Sequence, residues 1–125
     1  MKPYAQRVIF TDHHLKPYRL AVELVDRVSS AWGNELRCHE LARAVLRCLS
    51  HRLPDHRLIV VDGKCGPVEH SWIQFDDSLI LDVYAPGRIP PVQLVDRLIG
   101  NYKPGDTRTD INESIINQLV YEMRP

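Results

Sequence analysis

Two alternating segments set three residues apart constrain this chain more than any other feature. Residues 68–75 (Val-Glu-His-Ser-Trp-Ile-Gln-Phe) and 79–84 (Leu-Ile-Leu-Asp-Val-Tyr) read as strands joined around Asp76-Asp77-Ser78. Side chains alternate along a strand, so Val68, His70, Trp72 and Gln74 share one face while Ile73 and Phe75 share the other. On the second strand Ile80, Asp82 and Tyr84 alternate with Leu79, Leu81 and Val83. A register shift of one residue exchanges the faces, so the parity of the loop decides which side chains meet. A three-residue loop pairs Phe75 with Leu79 and sets Trp72 opposite Asp82, leaving His70 and Asp82 diagonal neighbours with Cα atoms about 7–8 Å apart. A two-residue loop would place Asp82 beside Ile73 and Leu81, where an unpaired carboxylate is costly. The apolar pattern therefore favours the register in which His70 and Asp82 meet.

Helical periodicity brackets this hairpin. Residues 17–30 predict a helix with Pro17 in its first turn and Leu20, Leu24, Val25 and Val28 on one face. A second helix is expected over about 36–52, where Leu41, Ala42, Val45, Leu46 and Leu49 recur before the Pro54 break. Residues 6–11 suit a short strand, 57–62 a buried strand, and Gly63-Lys64-Cys65-Gly66-Pro67 a loop. Pro90-Pro91 opens a further expected helix through Leu94, Val95, Leu98 and Ile99 that stops at Gly100. Asp110 with Glu113 reads as the capping box of a last helix carrying Ile111, Ile115, Leu119 and Met123. Runs of helices around a run of strands define an α+β chain, and its 125 residues, without repeats or linkers, suit one domain over 1–125.

Composition removes several classes of function. Sixteen basic residues balance sixteen acidic ones, which leaves no electrostatic footprint for nucleic acid or anionic lipid. No apolar run approaches the roughly 20 residues that span a bilayer, and the first residues lack a signal-peptide core, so a cytoplasmic location is expected. Three cysteines without a CxxC pair argue against a disulfide framework and a zinc ribbon.

Cys38 opens the second helix, where unpaired backbone N–H groups and the positive end of the helix dipole favour a thiolate. At about 100° per residue its side chain lies on the stripe of Leu41, Ala42, Val45 and Leu49, aimed at the sheet, while Cys48 falls off that line. A nucleophile needs a base, and a base needs an orienting acceptor. Cys38 attacking a carbonyl carbon, His70 moving the proton and Asp82 fixing the imidazole would meet that need. The Cys38 backbone N–H is the first oxyanion donor, with Asn34 or the Trp32 indole N–H as a second. Trp72 packs beside the site. Cys65 reads as a loop thiol, and His13, His14, His51 and His56 as exposed histidines without ligand spacing. Glu69 and Ser71 point away from His70 and are assigned no role. No metal or organic cofactor is called for, although zinc held by Cys38, His70 and Asp82 is a third reading.

The segment Cys38-His-Glu-Leu-Ala42, followed by His70-Ser-Trp72 and Leu81-Asp82, resembles the core of papain-fold enzymes of the transglutaminase-like group. The likeness covers about residues 32–84, and departs where Glu35-Leu36-Arg37 precedes the cysteine in place of small residues. It implies a papain-like core, with a Cys-bearing helix on a small antiparallel sheet between flanking helices. It also implies peptide or isopeptide cleavage, glutamine deamidation or acyl transfer to an amine, acting on a protein or peptide. The alternative is the same fold serving as a non-catalytic protein-binding or assembly module. The oligomeric state is left open.

Overall fold

A computed structural model describes residues 11–76, 78–98 and 101–125; the strand expected over 6–11 lies outside these except for Thr11, which precedes the first helix. Helix α1 spans Asp12–Asp26, a 3-10 segment spans Ser30–Glu35, α2 spans Cys38–Arg52 and α3 spans Glu113–Met123. Strands β1 (Leu58–Cys65), β2 (Val68–Phe75), β3 (Leu79–Asp82), β4 (Gln93–Asp96) and β5 (Tyr102–Pro104) form one antiparallel sheet in the order β4-β3-β2-β1-β5. The chain is α+β.

α1 begins five residues before Pro17 and ends sooner than expected. Pro17 has no N–H to donate to the carbonyl of His13, one turn back. That oxygen instead accepts from His56 Nε2 at 3.0 Å, so a side chain replaces the missing helical bond and the helix runs through the proline. α2 lies where its periodicity places it, and Leu41, Ala42, Val45 and Leu49 are fully buried. They join Ala21 and Leu24 of α1, Ile116, Leu119 and Met123 of α3, and Ile73 and Leu81 of the sheet in one core.

Two expectations give way to long-range pairing. The segment expected as a helix over 90–100 is in part an edge strand: Leu94 pairs with Leu81 and Val95 with Ile80. Its apolar residues fit either period, and the free edge of β3 decides. The expected loop at 63–67 is largely strand. β1 runs on to Cys65 and turns through Gly66-Pro67 alone, with Gly66 at φ 59°. Such a positive φ suits glycine at the first position of a two-residue hairpin turn. The third difference is small: Asn112, rather than Asp110, caps α3, its Oδ1 accepting from the Ile115 N–H at 3.2 Å.

The register that matters is the expected one. Phe75 pairs with Leu79, Gln74 with Ile80 and Ile73 with Leu81. β3 then stops at Asp82, whose Oδ1 accepts the Tyr84 N–H at 3.0 Å and turns the chain away. β2 and β3 pair over three residue pairs only, so the stretch around His70 keeps its β3-side edge clear of that strand. Gly63 holds the other side. It stands between His70 of β2 and Pro104 of β5, and a Cβ there would lie 2.1 Å from the Lys103 carbonyl oxygen.

Candidate active site

The first turn of α2 is fastened before any chemistry is considered. Glu40, fully buried, accepts from Arg37 Nε at 2.8 Å, from a second Arg37 nitrogen and from the Asn112 N–H at 3.1 Å. Arg37 continues to Asp110 at 3.1 Å. A buried carboxylate is tolerated only when its acceptors are filled, and here its donors tie the start of α2 to the start of α3. Burial pushes the Glu40 carboxyl up, but Arg37 and the Asn112 N–H outweigh it and hold it below the usual carboxylate range.

Against this fixed turn lies β2. His70 is buried, and its Nε2 stands 2.9 and 2.8 Å from the two oxygens of Asp82, which is also buried. The diagonal contact is the one the loop parity allows. Asp82 accepts two further bonds, from the Tyr84 N–H and from the Tyr102 hydroxyl at 2.6 Å. Burial and the Asp82 carboxylate both push the Tyr102 phenol upward, so it stays a donor. With Nε2 engaged, Nδ1 is the nitrogen of His70 left to address the sulfur.

The half-buried Cys38 thiol is held at about 6. Burial alone would raise it, but hydrogen bonding and charge from His39 and His70 outweigh burial. Burial pulls His70 down, and Asp82 and Cys38 together push it up to about 9. The stable form between those values is a thiolate beside an imidazolium, the arrangement that activates a cysteine nucleophile.

The helix tip meets the strand at its edge, not over the face that carries His70. His70 and Ser71 are consecutive on β2 and point to opposite faces. Yet His70 is one of the groups that lower the Cys38 thiol, while His39, the next helix residue, contacts Ser71 at 2.7 Å. Two neighbouring helix residues can serve both faces only from the edge that β3 leaves free. The body of α2 covers the apolar face of Ile73 and Leu81, so the sheet surface expected beneath the sulfur is replaced by the rim of β2.

Trp72 is buried between His70, 6.2 Å away between ring centroids, and Tyr102, at 5.0 Å in edge-to-face contact. It is a wall of the site. Trp32 is not an oxyanion donor: its indole N–H donates to Glu122 of α3 at 3.0 and 3.1 Å. Asn34 is exposed in the 3-10 segment ahead of α2. Cys48 lies away from these groups on α2, its thiol raised by burial. Cys65, in strand rather than loop, sits beside Tyr102 and is raised by burial and by the Asp82 charge.

Tyr102, His39 and Asp62 are absent from the site expected from the sequence, and Ser71 has no role in it. Ser71 does point away from His70, but toward a second set of polar groups. Its hydroxyl donates to Asp62 Oδ1 at 2.5 Å, and Asp62 also takes Arg43 at 2.6 Å and the Arg108 N–H at 3.0 Å. His39 stands next to Cys38 in the chain, a signal available from the start. Tyr102 depends on the pairing of β5 with β1, which no local pattern announces.

Among the described residues no group of three His, Cys, Asp or Glu side chains is arranged to hold a metal ion, and no helix is long and apolar enough to cross a membrane. No protein-family model, curated protein or solved structure matches the chain.

Proposed function

We propose that the protein is a thiol-dependent enzyme that cleaves or transfers an amide-linked acyl group of a protein or peptide, through Cys38, His70 and Asp82 on a transglutaminase-like core. The observation that carries this reading is the buried His70–Asp82 pair, which leaves one imidazole nitrogen for the sulfur at the tip of α2. The Cys38 sulfur attacks the amide carbon, and the carbonyl oxygen gains the negative charge beside the Cys38 N–H, with Asn34 as candidate second donor. The His70 Nδ1 proton passes to the amide nitrogen, the C–N bond breaks, and a thioester is left. Neutral His70 then takes a proton from water or an amine, the new nucleophile attacks, and the C–S bond breaks to restore thiolate and imidazolium. Hydrolysis, deamidation and acyl transfer differ only in which amide enters and which nucleophile follows.

The test is the pH profile of iodoacetamide alkylation, read separately at each cysteine by mass spectrometry. A thiol at about 6 is roughly 100-fold more ionised at pH 7 than one at 9, but its lower basicity costs roughly 20-fold in nucleophilicity. The midpoint is therefore a sharper readout than the rate. Cys38 is expected to show a midpoint near pH 6, which His70→Ala moves toward the ordinary thiol range. An unshifted midpoint, or Cys38 reacting like Cys48, rules the reading out.

A further inference from the structure

Resting on that reading, we propose that Tyr102 is a positioning residue of the site: from the edge strand β5 its hydroxyl clamps the Asp82 carboxylate and draws off part of its charge, so that His70 is held in line with a proton it can still release. The geometry is that of a pincer. His70 Nε2 lies 2.9 Å from Asp82 Oδ1 and 2.8 Å from Oδ2. A carboxylate only accepts, so Nε2 carries the proton and points it between the two oxygens. Each oxygen then takes one donor of its own. The Tyr84 N–H holds Oδ1 at 3.0 Å, and the Tyr102 hydroxyl holds Oδ2 at 2.6 Å. The first is a backbone group; the second depends on one side chain. With a donor on each side the carboxylate does not swing, and the imidazole stays centred on it.

Sheet pairing alone does not call for this contact. In the order β4-β3-β2-β1-β5 two strands separate Asp82 of β3 from Tyr102 of β5. The register sets Tyr102 opposite Cys65 and Cys65 opposite Val68, and Val68 alternates onto the side of His70, so the phenol and the imidazole share a face. Trp72 sets the direction of the phenol ring. The two rings meet edge to face with centroids 5.0 Å apart and planes at 73°, and the Tyr102 ring lies 6.3 Å from that of His70.

The consequence concerns how tightly His70 keeps its proton. A carboxylate strengthens the hold of an imidazole on its proton, and a hydroxyl donating to that carboxylate relieves part of the pull. Burial lowers His70, and Asp82 of β3 and Cys38 of α2 raise it. Tyr102 is raised by burial, by Asp82 and by Cys65 of β1; Cys65 is raised by burial and Asp82 against Tyr102 and Arg88. Tyr102 therefore keeps its own proton throughout and acts through Asp82 alone. In the first half of the reaction the His70 proton has to pass to the departing nitrogen. An Asp82 without its phenol donor would hold that proton back.

The test follows the His70 ring by nitrogen-15 spectra of the labelled full chain as pH is raised through 9. Tyr102→Phe keeps an aromatic ring beside Trp72 and removes only the donor. Its His70 midpoint should lie about one pH unit above that of the wild type, as expected when part of a hydrogen bond to a charged acceptor is lost. The Cys38 alkylation midpoint should stay near pH 6, where His70 is protonated in both proteins. An unchanged or lowered His70 midpoint overturns the proposal, and so does a displaced Cys38 midpoint, which marks a damaged site. A tyrosine fluorinated on its ring, placed at position 102, is a stronger donor of nearly the same shape and should move the His70 midpoint down. A merely structural phenol would leave it unmoved, which overturns the proposal even if Tyr102→Phe fails to fold. Failure of the enzymatic reading looks different: a Cys38 midpoint unmoved by His70→Ala, whatever Tyr102→Phe does to His70.

Discussion

Two histidine–aspartate pairs among the described residues are of similar length and very different consequence. At the corner where α1 meets the β2–β3 loop, His13 Nε2 lies 2.6 Å from Asp76 Oδ2, a shorter contact than the 2.8 Å between His70 and Asp82. The corner pair is 51% and 26% exposed, whereas the inner pair is 2% and 0% exposed. Asp76 also accepts the Arg57 N–H at 2.9 Å and adopts φ 50°, so its carboxylate serves the turn; the His13 ring packs against His56 and Phe75. Asp82 has its acceptors filled by His70, Tyr102 and Tyr84, and its imidazole partner helps to lower the Cys38 thiol. Contact distance does not distinguish a site from a staple. Burial, filled acceptors and a neighbouring thiol held low do.

Substitution should separate the pairs most sharply at the carboxylates. Asp82→Ala strands a buried imidazole and a phenol, and should cost about 3–5 kcal/mol in chemical denaturation, with the low Cys38 midpoint lost as well. Tyr102→Phe removes one donor to the same charge and should cost about 1.5–3 kcal/mol, leaving the His70 contact in place. Trp32→Phe takes only the indole bond from Glu122. A loss of about 1 kcal/mol with no change in the alkylation midpoint is expected, and a shifted midpoint would return Trp32 to the site. His13→Ala should cost less than about 1 kcal/mol, since an exposed ion pair contributes little. Equal losses in Asp82→Ala and His13→Ala would break the comparison.

The smallest effect expected is one of pH on stability at the inner site. His70 is raised from 6.5 to about 9, so its contribution is complete below 6.5 and lost as pH rises through 9. Cys38 is lowered from 9.0 to about 6, so its contribution is complete above 9.0 and lost as pH falls through 6. At pH 7.5 the folded pair carries one proton, on His70, and the unfolded chain also carries one, on the sulfur. The two dependences cancel, and Cys38→Ser should leave only the smaller slope that Asp82 gives His70. At the corner, burial pushes Asp76 up, but the Arg57 N–H and His13 hold it below its ordinary value. Its share of stability is present above the ordinary carboxylate range and lost as pH falls through the lowered value, with no thiol to compensate.

What could be read from the sequence was whatever depended on short spacing. α2 follows from five apolar positions, and the His70–Asp82 contact from the parity of a three-residue loop, which the pairing of Phe75 with Leu79 bears out. β4 was illegible because Leu94 and Val95 fit a helix equally well until β3 offers an edge. The approach of Cys38 to the rim of β2 was illegible for a related reason: it depends on where β3 ends, and Asp82 ends it by taking the Tyr84 N–H. The support behind His39 needs β1, β2 and the Arg108 loop together, so no single window of sequence contains it.

Gly63 touches none of the reacting atoms, yet a methyl group there would collide with the backbone of β5, the strand that brings Tyr102 beneath Asp82. Edge strands of three residues are easily displaced. On the proposed reading, a scan of point variants scored by activity would rank Gly63 beside Cys38, and the lesion would be mistaken for a chemical one. Spectra of Gly63→Ala would tell otherwise: the core intact, one strand peeled away, and an aspartate that has lost its phenol donor.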